Sequence, residues 1–599
     1  MRKLLTSICA AVALSVPAAA LPAANASAAT KSGPQPIGSA PVIPAGVSAM
    51  GTTSPSAPIS FDIVLRPTAP AGLQALATAV STPGSPSYHK FLTAAQFAAR
   101  FGQPPAVIQS IDSALRDIGL AAGPVSANHM VIPVTATVGR ASTALRTHFE
   151  SYRLSSGQVA FANTLPPQLP AAAARVTQAI AGLNTLLPAA PARPVPTPPH
   201  PRATPAHPRA TPAWLGTSGP QPCQAAIAAR DEHGAWTYDQ LAKAYSVSGL
   251  YSKGDKGRGT TVALPEFEPF TASDISAFQA CYGTKTSVST VRVDGGATGR
   301  QEGEAALDIE TVIAMAPAAR VVVHEAPVFN YAKSVIDVYT KIIDAGVAGV
   351  LSISWAACEP MANAVAPGLI ASENTLFQQA ATEGMSVFAG SGDSGSEACY
   401  LHRPSMKQLA VEDPASQPYV TSVGGTELAS LGPPPAETVW NESAGHKGAG
   451  GGGISSMWTM PAWQKGPGVI SGYSSGQPCG ASKGYCREVP DVSASADLYR
   501  GYVAFYGGHW LTGGGTSAAA PLWAAMLADI ESQASPAIRE GFLNPRLYSM
   551  PAGRFNDIVS GNNDYLQPAR GRYPATRGYD MASGLGTPIA PKLALALGT

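Results

Sequence analysis

Residues 332–353 read AKSVIDVYTKIIDAGVAGVLSI: a helical stretch from Ala332 to Ala345, a glycine, then the short apolar run Val347 to Ile353. The same alternation surrounds it. Thr260 to Leu264, Val321 to His324 and Met385 to Ala389 are apolar runs of strand length, and Thr271 to Cys281, Glu302 to Met315 and Ile370 to Glu383 are helical. Buried-type strands alternating with helices predict an α/β fold with a mostly parallel sheet and helices on both faces. In such sheets the reactive groups gather at the carboxyl ends of the strands.

This region occupies residues 220–599. Before it, residues 188–219 are a linker rich in Pro, Ala, Arg and His, which cannot build a core and reads either as a spacer or as a cleavage region. Upstream lies a small α/β unit, residues 55–187, with a strand at Ile59 to Leu65, helical runs at Ala71 to Val80, Ala94 to Phe101, Pro105 to Gly119 and Arg140 to Phe149, and strand-like pieces at His129 to Val134 and Ser151 to Leu154. Residues 1–28 combine Arg2 and Lys3, an apolar run from Ile8 to Leu21 and Ala-x-Ala sites, the pattern of a secretory signal peptide. The apolar run is shorter than the ~20 residues of a spanning helix, so no membrane partner is expected and the chain is read as secreted and extracellular.

The 599 residues require several folding units. Lys plus Arg number 39 and Asp plus Glu 38, so no bulk field draws nucleic acid. Beyond Cys9 the cysteines form an even set, Cys223, Cys281, Cys358, Cys399, Cys479 and Cys486, which outside the cell implies disulfides. Cys479 and Cys486 suit a local loop closure, and no Cys-x-x-Cys spacing suggests zinc.

Thr512-Gly513-Gly514-Gly515-Thr516-Ser517-Ala518-Ala519-Ala520-Pro521 is a glycine-rich turn running into the apolar helix Leu522 to Ile530. It places Ser517 at a helix N-terminus, where a backbone can approach and negative charge is favoured. An isolated serine there is usually a cap; the Gly-Gly-Gly-Thr-Ser-Ala-x-x-Pro context makes Ser517 a candidate nucleophile. A nucleophilic serine needs a base, yet no histidine sits in a His-Gly-Thr setting; His233 and His324 read as structural or surface residues. Glu304 and Asp308, at i and i+4 between Glu302 and Glu310, share one helix face among apolar residues, where two carboxylates tend to share a proton and one becomes a base. Carboxylates so spaced are also common on solvated faces. Asp393 lies in the turn Gly390-Ser391-Gly392-Asp393-Ser394-Gly395 after an apolar strand, where an Asp is ordinarily a turn former.

Together these segments resemble the kumamolisin-like sedolisin family of serine-carboxyl peptidases. The resemblance spans essentially the whole chain, including Pro86-Ser87-Tyr88-His89-Lys90-Phe91-Leu92-Thr93, Ser352-Ile353-Ser354-Trp355, Ser422-Val423-Gly424-Gly425-Thr426 and Val489-Pro490-Asp491-Val492-Ser493. It implies a subtilisin-like catalytic domain behind an inhibitory activation prodomain that is removed autocatalytically in acid. It further implies Ser517 as nucleophile, Glu304 as base, Asp308 as its orienting partner and Asp393 as oxyanion donor, with Glu266 and Trp355 as auxiliary positions. A carboxylate base and a protonated Asp393 both call for acid, with an optimum below about pH 6. The resemblance also implies one structural Ca2+ held by the side chains of Asp557 and Asp580 and the carbonyls of Ile558, Thr576 and Gly578. On composition alone this Asp- and Asn-rich segment would be turns; Thr576 and Tyr579 stand where the family often has glycine and tryptophan. The partners implied are protein or peptide substrates and the chain's own prodomain, and a monomer is expected. The competing readings are a histidine-based subtilisin-like protease, which a neutral optimum would favour, and an inactive secreted binding protein.

Overall fold

The computed structural model describes residues 33–187, 190–191, 218–445, 447–466, 468–566 and 571–598. The signal-peptide reading and nearly all of the linker fall outside them.

In the prodomain, strands Ala121–Ala122, Val131–Thr137, Pro58–Leu65 and Thr177–Ala181 form an antiparallel sheet in that spatial order. Alternate side chains of the central strand, Phe61, Ile63 and Leu65, pack on Ile111 and Leu115 of the helix Pro105–Asp117. A second antiparallel sheet joins Ser48–Thr52, Phe149–Arg153 and Val159–Asn163. Two sequence expectations shift here. The helix expected to run to Phe149 ends at Leu145, because Arg146 turns left-handed (φ 52°) and Phe149 enters a strand whose buried face it fills. Ordered structure also begins before residue 55, since Ser48–Thr52 finds its partner strand about a hundred residues downstream.

The larger region is a sheet of eight strands: β1 (Thr261–Glu266), β2 (Ser287–Arg292), β3 (Arg320–Glu325), β4 (Val350–Ile353), β5 (Ser386–Gly390), β6 (Thr421–Ser430), β7 (Ala436–Val439) and β8 (Val492–Ser495). The spatial order is β2-β3-β1-β4-β5-β6-β7, with β8 also paired to β6, and every pairing is parallel except β6 with β7. Helices α1 (Glu304–Met315) and α4 (Thr516–Glu531) contribute to the core on one face, and α2 (Tyr331–Ala345) and α3 (Leu369–Thr382) to that on the other. All 16 residues of α4 are buried, so the helix that carries Ser517 is fixed on every side. Disulfides join Cys223 to Cys281, Cys358 to Cys399 and Cys479 to Cys486. Among the described residues no helix is long and apolar enough to cross a membrane.

The prodomain docks on α3 and the segments beside it through the Tyr88–Thr93 motif. The Leu92 amide donates to the Thr382 carbonyl (2.8 Å), and Arg546 Nη1 donates to the Tyr88 hydroxyl (2.6 Å). The Phe91 ring lies against Gly384, where a Cβ would come within 2.6 Å of it, and φ is 78°. A side chain at 384 would displace the ring, so this glycine is a seat for Phe91. Lys333 on α2 completes the interface, pairing with Asp294, Asp337 and, at 3.8 Å, the buried prodomain Asp62.

Candidate active site

Four segments meet at Ser517. α4 begins after Gly515, whose φ is 88° and where a Cβ would fall 2.5 Å from Asp393 Oδ2, so only glycine admits the Asp393 side chain this close. One turn on, Pro521 has no N–H for the Ser517 carbonyl four residues back. That carbonyl instead lies 3.3 Å from the Ser354 hydroxyl, just beyond the end of β4. Helix and sheet end are thereby locked together at Ser517.

The first two turns of α1 bring up Glu304 and Asp308, both buried. Asp308 Oδ2 accepts a 2.6 Å hydrogen bond from Ser354 Oγ. Glu266, at the end of β1, accepts from Trp355 Nε1 at 3.0 Å and interacts through its own carboxyl with Asp308. Burial, reinforced by Asp308 and Glu266, raises Glu304 well above the ordinary carboxylate range, while the Ser517 hydroxyl favours its ionised form. Burial likewise pushes Asp308 up to about 8. Ser517 Oγ lies 3.5 Å from the Ser354 carbonyl, and its contact with Glu304 leaves both Glu304 oxygens without a fully formed hydrogen bond. Loose geometry of this kind is usual for a catalytic pair before substrate arrives. Three coupled carboxyls in one dry site titrate as a unit, sharing protons rather than all ionising.

Asp393 enters from the turn after β5. Its Oδ1 accepts from the Thr516 amide and hydroxyl, both at 2.9 Å, while Oδ2 is buried beside Gly515 with no hydrogen-bond partner among the described residues. Burial pushes Asp393 up to about 7 against the opposing pull of the two Thr516 bonds. At acid pH the carboxyl is neutral and the unpartnered Oδ2 can carry a donatable proton next to Ser517.

All four residues singled out for chemistry thus converge, and so do the auxiliary Glu266 and Trp355. In the sequence Ser354 is only part of the Ser352-Ile353-Ser354-Trp355 motif; its links to Asp308 and to Ser517 require the third dimension. The remaining acids of the helix separate: Glu302 is exposed, and Glu310 is buried where it accepts the Phe505 amide at 2.8 Å. His324 is buried with its Nδ1 3.3 Å from the Val322 carbonyl and lowered to about 4 by burial, and His233 ends the helix Gln224–His233. Neither is placed as a base.

Ala190–Pro191, just beyond the prodomain, pairs antiparallel with Trp355–Cys358, Pro191 opposite Trp355 and Ala190 opposite Ala356. An extended segment therefore already lies along the strand that leaves the Ser354 corner.

The expected calcium ligands occupy two loops that touch. Asp557 accepts the Gly578 amide at 3.1 Å; Asp580 accepts the amides of Thr576 (2.8 Å), Ala582 and Ser583. Asp580 is buried and neither carboxylate has an ion-pair partner among the described residues. Among the described residues no group of three or more His, Cys, Asp or Glu side chains is arranged to hold a metal ion by side chains alone, there or elsewhere. Two carboxylates with carbonyls fit a hard cation in donor type, most ligands then coming from the backbone.

Residues 45–186 match the family described as "Pro-kumamolisin, activation domain", and residues 295–545 match the subtilase family. Kumamolisin from Bacillus sp. (strain MN-32) is 36% identical over 377 residues, covering 61% of this chain and 64% of kumamolisin; the chain thus spans just under two thirds of that relative's length. Sedolisin from Pseudomonas sp. (strain 101) is 28% identical over 548 residues, covering 87% of this chain and 84% of sedolisin. A solved structure of Pseudomonas sedolisin, complexed with two molecules of pseudo-iodotyrostatin, superposes with a TM-score of 0.52 at 26% identity, covering 60% of this chain and 97% of that one.

Proposed function

We propose, from the premise that this chain belongs to the sedolisin family of serine-type peptidases, that it is a secreted, acid-acting serine-carboxyl endopeptidase made as a self-processed zymogen. The observation that carries the reading is the convergence of Ser517, Glu304, Asp308 and Asp393 in one buried site with no histidine in the role of base among the described residues.

In this mechanism Ser517 Oγ attacks the scissile carbonyl as Glu304 takes its proton, and Asp308 returns charge to Glu304 through the shared-proton cluster. Asp393 donates from Oδ2 to the developing oxyanion. The proton then passes from Glu304 to the leaving amine, and water repeats the sequence on the acyl-enzyme. Activity requires Glu304 as proton acceptor and a proton on Asp393; loss of the Asp393 proton closes the window on the alkaline side, and the optimum is expected below about pH 6. The test is hydrolysis of a peptide library by the acid-incubated precursor. Full activity in mild alkali with none in acid would refute it.

The prodomain acts as intramolecular inhibitor. The pairing of Ala190–Pro191 with Trp355–Cys358 is the way a peptide substrate would add a strand to the cleft edge, so the linker enters as a substrate does. Docking through Phe91 is expected to set the inhibition: with the isolated prodomain added in trans, Phe91→Ala should weaken inhibition about 10-fold, and an unchanged inhibition constant would remove Phe91 from that role.

Asp557, Asp580 and the carbonyls of Ile558, Thr576 and Gly578 are proposed to hold one structural Ca2+, which when bound would neutralise the buried Asp580 and tie the two loops together. Excess chelator is then expected to lower the melting temperature by several degrees, about what losing 1–3 kcal/mol of binding energy gives. An unchanged melting curve would speak against the site. Secretion is supported by the leader-like residues 1–28 and by the three disulfides.

A further inference from the structure

The N-terminus of α1 has an unusual cap. Gly303 at the N-cap position has φ 105° and no side chain, so the helix cannot cap itself. The orphan amides are taken by a carboxylate from elsewhere in the chain. Glu268, two residues beyond β1, accepts from the amide of Glu302 at 2.8 Å through Oε2, and from those of Gly303 at 2.9 Å and Ala305 at 3.1 Å through Oε1. The side chain is buried. Three N–H donors on two oxygens use a charged carboxylate as fully as a helix end allows.

We propose that Glu268 is a positioning residue that fixes the first turn of α1 and so holds Glu304 against Ser517, an inference that rests on the reading of Glu304 as the base. Glu304 is the first residue of the helix, immediately between two of the amides Glu268 grips. A helix end by itself would favour the ionised form of a carboxylate at this position. Burial, Asp308 and Glu266 oppose that preference, and an ionised Glu268 adds to them, raising Glu304 further. The groups facing Glu268 are Glu302 and Glu304 from the helix side, Glu266 from β1 and Tyr506 from the hairpin that closes the corner, with Arg300 and Asp274 beside Tyr506. Burial raises Glu268 itself while the three amides favour its ionised form; wherever it is ionised, replacing it by a neutral residue removes repulsion on Glu304.

The experiment compares Glu268→Ala, Glu268→Gln and Ser517→Ala with the unaltered full chain. Glu268→Ala is expected to lower kcat about 10- to 100-fold with KM within about twofold, because the loss is one of alignment in the transition state. Glu268→Gln retains an oxygen acceptor and length but not charge. It should keep more of kcat and move the acidic limb of the pH–rate profile down by roughly half a unit, since Glu304 then ionises more readily. A merely structural cap would lower activity without moving that limb. Hydrogen exchange at residues 302–306 supplies a readout without turnover: protection should fall in Glu268→Ala and return largely in Glu268→Gln. Peptidase activity that is lost in Ser517→Ala but unchanged in kcat and pH profile in both Glu268 variants overturns the proposal. Activity indifferent to Ser517→Ala overturns the peptidase reading instead. If no variant shows turnover, unchanged amide protection in Glu268→Ala still overturns the role of Glu268 as the anchor of this turn.

Discussion

Ser517→Ala is expected to abolish peptide hydrolysis, by about 10⁴-fold or more, and to leave the precursor uncleaved on incubation in acid. The size of the effect follows from the site's construction. Every other group surrounding the nucleophile acts only by moving a proton or stabilising charge that Ser517 Oγ creates, so without the hydroxyl they have nothing to act upon. Folding should be nearly unaffected. The hydroxyl lies 3.5 Å from the Ser354 carbonyl and approaches Glu304 loosely, and alanine suits the first turn of a helix already buried along its whole length. The measurement is therefore clean: equal melting temperatures, intact precursor in the variant, shortened chain in the parent. Normal processing of the pure variant would show that the prodomain is removed by another agent.

The same site shows which parts of the molecule could be read from residue order. Local signals carried far. The 3.6-residue period placed α2 and α3 to within a residue or so, the runs at 260–264 and 385–389 became β1 and β5, and the i, i+4 spacing put Glu304 and Asp308 on one buried face. Pro521 was visible as part of a motif, but its consequence, a Ser517 carbonyl freed to face Ser354, depends on where β4 ends relative to α4. Glu268 was missed for the same reason. Nothing near residue 268 announces a helix cap for residue 304, since the two meet only because the chain leaving β1 and the chain entering α1 are brought together by the fold. The Phe149 boundary failed differently: apolar residues at helical spacing continued past Leu145, and pairing with the distant strands Ser48–Thr52 and Val159–Asn163 overrode them. Of the disulfides, the loop closure at Cys479 and Cys486 was legible from its seven-residue spacing, while the two longer links needed the fold.

Asp393→Ala is expected to cost about 10²–10³ in kcat, the usual effect of losing one oxyanion donor, and Asp393→Asn to separate that loss from its pH dependence. Burial holds Asp393 up near 7 with Oδ1 fully engaged by Thr516 and Oδ2 free beside Gly515. The proton needed by an oxyanion is thus present below about pH 7 and is lost as pH rises through that value; the donor fails on the alkaline side. The same raised pKa means that the neutral carboxyl is the form the fold prefers, so its contribution to stability is complete below the unfolded value and fades as pH passes through 7. Asparagine keeps a donor in that position and cannot deprotonate. Its rate in acid should fall below the parent's because an amide is a weaker donor than a carboxylic acid, yet its profile should no longer drop through pH 7 on account of residue 393. The rest of the alkaline limb then belongs to whatever else loses protons, above all the Glu266, Glu304 and Asp308 cluster, whose further ionisation leaves mutually repelling charges beside the nucleophile. A profile for Asp393→Asn that superimposes on the parent's after scaling would assign the alkaline limb to that cluster alone and remove Asp393 from the role of titrating oxyanion donor.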